Sequence, residues 1–179
     1  MRKEILDLAE KLIRTKGYNA FSYKDISTPL NIKNAAVHYY FPAKKDIGNA
    51  VIDRNRANLQ AFAEATRNNP AKDQLLKFIE VYTLSREDSL VCFMGAMGSS
   101  FESLPEEMRN ELTSASHEIR NWLCGVLEKG LRQNEFSFSE SIEEKADCII
   151  SSLMASLILN KVTGRDVLKN VIEAILKTT

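Results

Sequence analysis

An all-α fold follows from three observations on this 179-residue sequence. Apolar residues recur three and four apart through each long segment, the spacing of a buried helical stripe. The breaks between segments hold residues that start or end helices: Gly17, Pro42, Pro70, Pro105, Ser141 and Gly164. No convincing alternation of apolar and polar residues marks a strand. The elements divide into a small N-terminal head, residues 1–47, and a larger helical body, residues 48–179.

The head opens with a helix over residues 2–16, whose Ile5, Leu8, Ala9, Leu12 and Ile13 share one face and whose end is capped by Gly17. Tyr18 and Phe21 are placed to fill a three-helix core. Ser22 is an N-cap whose hydroxyl can accept an orphan backbone N–H, and Tyr23 to Thr28 form a short second helix with Ile26 inward. Pro29 is unexpected inside such a helix and shortens it. Leu30, Asn31 and Ile32 make the turn, where Asn31 tolerates the left-handed conformation. Lys33 to Tyr40 form a third helix, ended by Phe41-Pro42.

That third helix has two unlike faces. Val37 and Phe41, four apart, point toward Ile26 and Leu30. The opposite face carries Lys33, Asn34, Ala35, His38 and Tyr39, with Tyr40 beside them. It is cationic at its start, small in its middle and aromatic at its end. A helix entering the major groove wants small residues at close approach and Lys, Asn, His or Tyr at base edges and phosphates.

The block Ser22, Asp25-Ile26, Leu30-Asn31-Ile32, Val37-His38-Tyr39-Tyr40-Phe41 and Lys44, preceded by Gly17-Tyr18-x-Ala20-Phe21, resembles the helix-turn-helix DNA-binding domain of the TetR (tetracycline repressor) family of bacterial transcriptional regulators. The resemblance covers about the first fifty residues. It implies a dimer that reads a near-palindromic double-stranded DNA operator, and a body that binds a small-molecule effector. With the residue chemistry it makes Ser22, Tyr40 and Lys44 phosphate candidates, and Lys33, Asn34, Ala35, His38 and Tyr39 base or groove-floor candidates. Tyr23 belongs to the same DNA-binding set.

The body begins with a helix from Lys44 to about Arg67, partly apolar through Val51, Leu59 and Phe62; in the family this helix links head to body. Lys44 lies near its N-terminus, where backbone N–H groups favour anions. Asn68-Asn69-Pro70 breaks it. Ala71 to about Ser85 is amphipathic through Leu75, Phe78, Ile79 and Tyr82, and residues 86–89 read as a loop. Residues 90–101, LVCFMGAMGSSF, carry no charge. They suit a buried central helix, and their methionines and glycines equally suit an adaptable pocket wall. Pro105 and the acids after it start a helix that runs to Gln133, within which Trp122 serves as core or as pocket wall. Residues 135–141 form a loop whose FSFS resembles a brief extended segment. Ser141 and Glu144 make a capping box for a helix to Lys161, and Asp166 starts the last one. Phe78, Tyr82, Met94, Met97, Phe101 and Trp122 are the candidate lining of a pocket for an apolar or aromatic effector.

The helices at about 141–161 and 166–177 carry broad apolar stripes flanked by Ser151, Ser152, Ala155 and Ser156. They need more cover than a small body supplies. A two-fold four-helix homodimer interface provides it, shared with the chain's own core.

Bulk properties agree. A hydrophobic content of 44% suffices for a globular core. Basic and acidic residues balance at 24 each over the chain, yet residues 1–47 hold nine basic and five acidic ones. A basic head on an acidic body is the asymmetry expected of a DNA-binding domain joined to a second domain. Cys92, Cys124 and Cys148 have no metal spacing and read as small buried hydrophobes, with Cys92 also open to a thiol-sensing role. The two histidines, His38 and His117, have no acid or nucleophile at a catalytic spacing, so neither an enzyme nor a metal site is expected, and no cofactor. No signal segment and no run of about 18 apolar residues is recognised, so a cytoplasmic protein with no membrane partner is expected. A helical interaction module or ligand sensor without DNA binding of its own would keep the same fold; salt-sensitive DNA binding separates the two.

Overall fold

The computed structural model describes residues 1–179 and contains helices and turns with no strand. The helices are α1 (Arg2–Lys16), α2 (Tyr23–Ser27), α3 (Asn34–Tyr40), α4 (Lys44–Thr66), α5 (Ala71–Glu87), α6 (Phe93–Gly98), α7 (Glu106–Arg132), α8 (Ile142–Thr163) and α9 (Val167–Thr178), with 3-10 turns at Tyr18–Ala20 and Phe101–Ser103. They form two compact units that do not follow chain order. The first comprises Met1–Asn58 and Phe93–Ala115, the second Leu59–Cys92 and Ser116–Thr179.

In the first unit α1 buries Ile5, Leu6, Ala9, Leu12 and Ile13. Its C-terminus stops at Gly17, whose φ of 93° suits glycine and whose N–H closes on the Ile13 carbonyl. Tyr18, Phe21, Ile26, Val37, Phe41, Ile47, Val51 and Ile52 complete a core with almost no solvent access. α6 packs on α1 and buries Phe93, Ala96 and Met97. Gly48 lets Met108 and the Tyr18 ring close on the first turns of α4, for a Cβ there would lie 2.6 Å from Met108 Cε.

Residues 90–101 differ from the helix expected of them. Only Phe93–Gly98 is helical, after a left-handed Ser89 and before a turn at Ser99-Ser100. Gly95 and Gly98 each weaken a helix by about 1 kcal/mol relative to alanine, which accounts for the short span.

In the second unit Leu75, Phe78, Ile79 and Tyr82 of α5, Leu123, Val126 and Leu127 of α7, Ala146, Ile149, Leu153 and Leu157 of α8, and Leu168 and Ile175 of α9 make one core. Ser141 and Glu144 form the expected capping box at α8, and Gly164, at φ 66°, ends it in the left-handed conformation. The FSFS segment is not a strand. Phe136 folds back over Gly130, and the Ser137 N–H donates to the Thr179 carbonyl at 2.8 Å. Lys145 is 4% exposed and donates from Nζ to the Thr178 carbonyl at 2.5 Å, which ties the end of α9 to the start of α8.

Two expectations change. Cys148 is exposed rather than buried, while Cys92 and Cys124 are half-buried; burial pushes the Cys124 thiol up. By length and composition α8 is also apolar enough to cross a membrane, a test that the core helix of a globular protein passes as well; Ser151, Ser152, Ser156 and Asn160 interrupt its apolar run without adding charge.

Candidate nucleic-acid interface

The sequence builds α3 from the inside outward. Val37 is fully buried and Phe41 is 1% exposed, so the helix is pinned along one edge. Lys33, Asn34, Ala35, His38 and Tyr39 are all exposed, with Tyr39 at 81%, and Tyr40 is half-buried beside it. The Tyr39 and Tyr40 rings meet edge to face at 5.1 Å. A tyrosine this exposed buries almost none of its ring, so packing within the unit does not account for it.

The turn before α3 takes the expected form, with Asn31 at φ 52°. Helix α2 stops at Ser27, one residue earlier than expected and two before Pro29. Ser27 Oγ donates to Asn34 Oδ1 at 2.5 Å, which locks the two helices and leaves the Asn34 amide N–H groups as donors. His38 stacks edge to face on Tyr23 at 4.2 Å, and its Nδ1 lies 3.3 Å from the Pro42 carbonyl. With the proton on Nδ1, Nε2 is an acceptor.

Three of the candidate phosphate or DNA residues are engaged within the unit. The Tyr23 hydroxyl donates to the Phe41 carbonyl at 2.7 Å, and burial, then Asp46, pushes its pKa up. Ser22 caps α2 in a capping box, its side chain facing the backbone N–H of Asp25 as the sequence implies; its hydroxyl also donates to Asp25 Oδ2 at 2.6 Å, and the same oxygen accepts the Ser22 N–H at 2.8 Å. These bonds, followed by Lys16, hold the Asp25 carboxyl down at about 2. Lys44 Nζ donates to the Phe21 carbonyl at 2.6 Å and to the Asn19 carbonyl at 3.3 Å, and lies 4.3 Å from the Phe21 ring centre. Desolvation lowers its pKa. Lys44 therefore braces the start of α4 against the segment entering α2, and only one of its three N–H groups is left for an outside partner.

In the second unit Phe78 stands 5.2 Å from Trp122 and 5.4 Å from Tyr82. The structure adds Phe62, also 5.2 Å from Trp122, a residue seen in the sequence only as part of a weak apolar stripe. Met94, Met97 and Phe101 belong to the first unit. Met97 has no exposure and is a core residue there. A separate open cleft of about 520 Å³ in the second unit lies beside the Arg86–Asp166 ion pair, with Leu157, Lys161 and Arg165 in its lining; no local pattern of residues announces it.

Comparison with known proteins matches two stretches of the chain. Residues 5–51 match the profile of bacterial regulatory proteins, tetR family, and residues 71–175 match the tetracyclin repressor-like C-terminal domain. A TetR transcriptional regulator from Legionella pneumophila is 37% identical, with a TM-score of 0.87 over 99% of this chain and 96% of that one. A TetR family regulator from Agrobacterium tumefaciens is 26% identical, with a TM-score of 0.90 over 98% and 95%. The biofilm operon icaADBC HTH-type negative transcriptional regulator IcaR of Staphylococcus epidermidis is 25% identical over 125 residues, 69% of this chain and 67% of that protein. A pinned helix with an exposed cationic and aromatic face, followed by a tetracyclin repressor-like helical domain, makes this chain a member of the TetR family of bacterial DNA-binding transcriptional regulators.

Proposed function

We propose that the protein is a repressor that binds a near-palindromic operator as a homodimer and leaves it when a small apolar or aromatic molecule binds. The observation that carries this reading is the division of α3 into a buried edge, Val37 and Phe41, and an exposed face of Lys33, Asn34, Ala35, His38 and Tyr39. Ala35 permits close approach to the groove floor. The Asn34 amide offers donors, and His38 Nε2 offers an acceptor for an exocyclic base amine. Lys33, Tyr40 and, once released from Asp25, the Ser22 hydroxyl suit phosphates. Lys44 acts chiefly as a brace.

Two α3 helices must lie about 34–36 Å apart, or a multiple of one DNA turn, to reach successive major grooves. The exposed Ile158, Leu159 and Val162 of α8 and Leu176 of α9 support a homodimer through these two helices. The ring cluster of Phe62, Phe78, Tyr82 and Trp122 is the proposed effector contact, to which aromatic and apolar molecules are matched. Effector and operator then oppose each other by linkage, each weakening the other by the same factor. A cytoplasmic location accords with this role, and the negative regulation named for the staphylococcal relative supports repression.

Selection from a random duplex pool at two salt concentrations tests the proposal. Enrichment of a near-palindromic site whose affinity falls steeply with salt is expected. A folded, dimeric protein that enriches no site would refute sequence-specific recognition by the free protein.

A further inference from the structure

Within the first unit, α4 is held by two different means along its length. Up to Ile52 it is anchored by burial of Ile47, Val51 and Ile52. From Asp53 to Asn58 no residue of α4 is buried. Over that stretch the grip is polar and centred on Arg54. Its Nη1 donates to Asp7 Oδ1 at 2.5 Å, and its Nη2 donates to the Leu6 carbonyl at 3.1 Å and to Glu10 Oε2. Glu10 is 15% exposed at its side chain and also accepts from Asn55 Nδ2 at 3.3 Å. Leu6, Asp7 and Glu10 span one turn of α1, so a single guanidinium fork grips that turn at three points.

Apolar contact is non-directional and leaves a helix pair free to slide or rotate slightly. A planar fork on two carboxylates and a carbonyl fixes both register and angle. An isolated exposed ion pair would contribute little; this one has three acceptors, one of them largely shielded from water. We infer that Arg54 is a positioning residue for DNA recognition, which sets the angle of α1 on α4 and thereby the orientation in which α3 meets its half-site. The inference rests on the proposed binding of a palindrome by a dimer.

A base pair inserted between half-sites moves one of them by about 3.4 Å and turns it by about 34–36°. A dimer with firmly angled α3 helices cannot follow that turn, and one with loosened helices follows part of it. The experiment measures affinity of the full-length protein for its selected operator, for the same operator with one base pair added or removed at the centre, and for a single half-site duplex. The wild type is expected to lose about 100-fold on the altered spacings, the scale of one or two lost base contacts. Arg54→Met is expected to lose about 10-fold or less, with half-site affinity unchanged. Arg54→Lys should fall between them. Arg56→Met, which removes the α4 to α7 pair with Glu111, should discriminate as the wild type does.

Thermal melts establish that each variant is folded. Should Arg54→Met be unfolded, the Asp7→Asn, Glu10→Gln double variant, which keeps the arginine and removes the charged acceptors, decides the question by the same ratio. Spacing discrimination as sharp as wild type in a folded variant overturns the inference. A wild type that binds no palindrome overturns the proposed function instead, so the two failures are distinct.

Discussion

Lys44→Met separates a brace from a phosphate contact. The Nζ of Lys44 donates to two backbone carbonyls, those of Phe21 and Asn19, and lies over the Phe21 ring. A hydrogen bond from a charged donor contributes about 1.5–3 kcal/mol net, and a cation over a partly desolvated ring adds about 0.5–1 kcal/mol. Methionine keeps most of the aliphatic stem, and water reaches part of the vacated site. A loss of about 2 kcal/mol is therefore expected. For a chain of this length that lowers Tm by roughly 4–8 °C, measured by circular dichroism at fixed protein concentration.

The second readout is the salt dependence of operator binding, taken well below the variant's Tm. Each phosphate contact contributes about 0.9 to the slope of log affinity against log salt, and a dimer carries two copies of Lys44. A brace leaves the slope unchanged. A phosphate contact removes about 1.8 from it and leaves Tm nearly alone. The second pattern would refute the brace and return Lys44 to the role that family resemblance implied.

Three further outcomes follow from the same geometry. Asp25 has a folded pKa of about 2, held down first by the Ser22 hydroxyl, against an ordinary 3.8. Its contribution is therefore present above about pH 4 and lost as pH falls toward 2; the stability gap between wild type and Asp25→Asn should close across that window in denaturant melts, and a constant gap would disprove the assignment. Gly130→Ala places a Cβ 2.0 Å from Phe136 Cδ2; overpacking of about 1–3 kcal/mol or more outweighs the helix gain of about 1 kcal/mol. Urea unfolding should show net destabilisation that turns into a gain in a Phe136→Ala background. Val162 is 76% exposed and Ile158 45%. Val162→Glu with Ile158→Glu should give a monomer by sedimentation and weaken operator binding at least tenfold, whereas a stable dimer would move the interface off this face of α8.

What could be read in the sequence was what local chemistry dictates. The α2–turn–α3 block was legible because its determinants lie within a few residues of each other: Ile26 and Val37 inward, Asn31 in the turn, Pro42 at the stop. The caps at Gly17, Ser141 and Gly164 were legible for the same reason. The exposed face of α3 was legible because an aromatic and cationic stripe opposite a buried one has few purely structural uses. Residues 90–101 misled because glycines in an apolar run leave helix length undetermined, and the run's placement in the first unit depends on α1, some eighty residues away. Phe62 was missed as a partner of Trp122 because sixty positions separate them and neither carries a local sign of the other.

The engaged side chains make the general point. Lys44, Tyr23 and Ser22 have the chemistry of DNA contacts, and each is satisfied inside the unit by a carbonyl or carboxylate. Arg54 and Glu10 look like ordinary members of solvated helix faces, yet they join α1 to α4 across forty-four positions. Residue type says what a side chain can bond; only the folded chain says which partner reaches it first. The face proposed to read DNA is then the set of side chains the fold leaves unsatisfied, and on α3 Lys33, the Asn34 amide, His38 Nε2 and the Tyr39 ring are the members of that set. The polar anchors behind it, Asp25 on Ser22, Lys44 on Phe21 and Arg54 on α1, are what hold those four in one orientation.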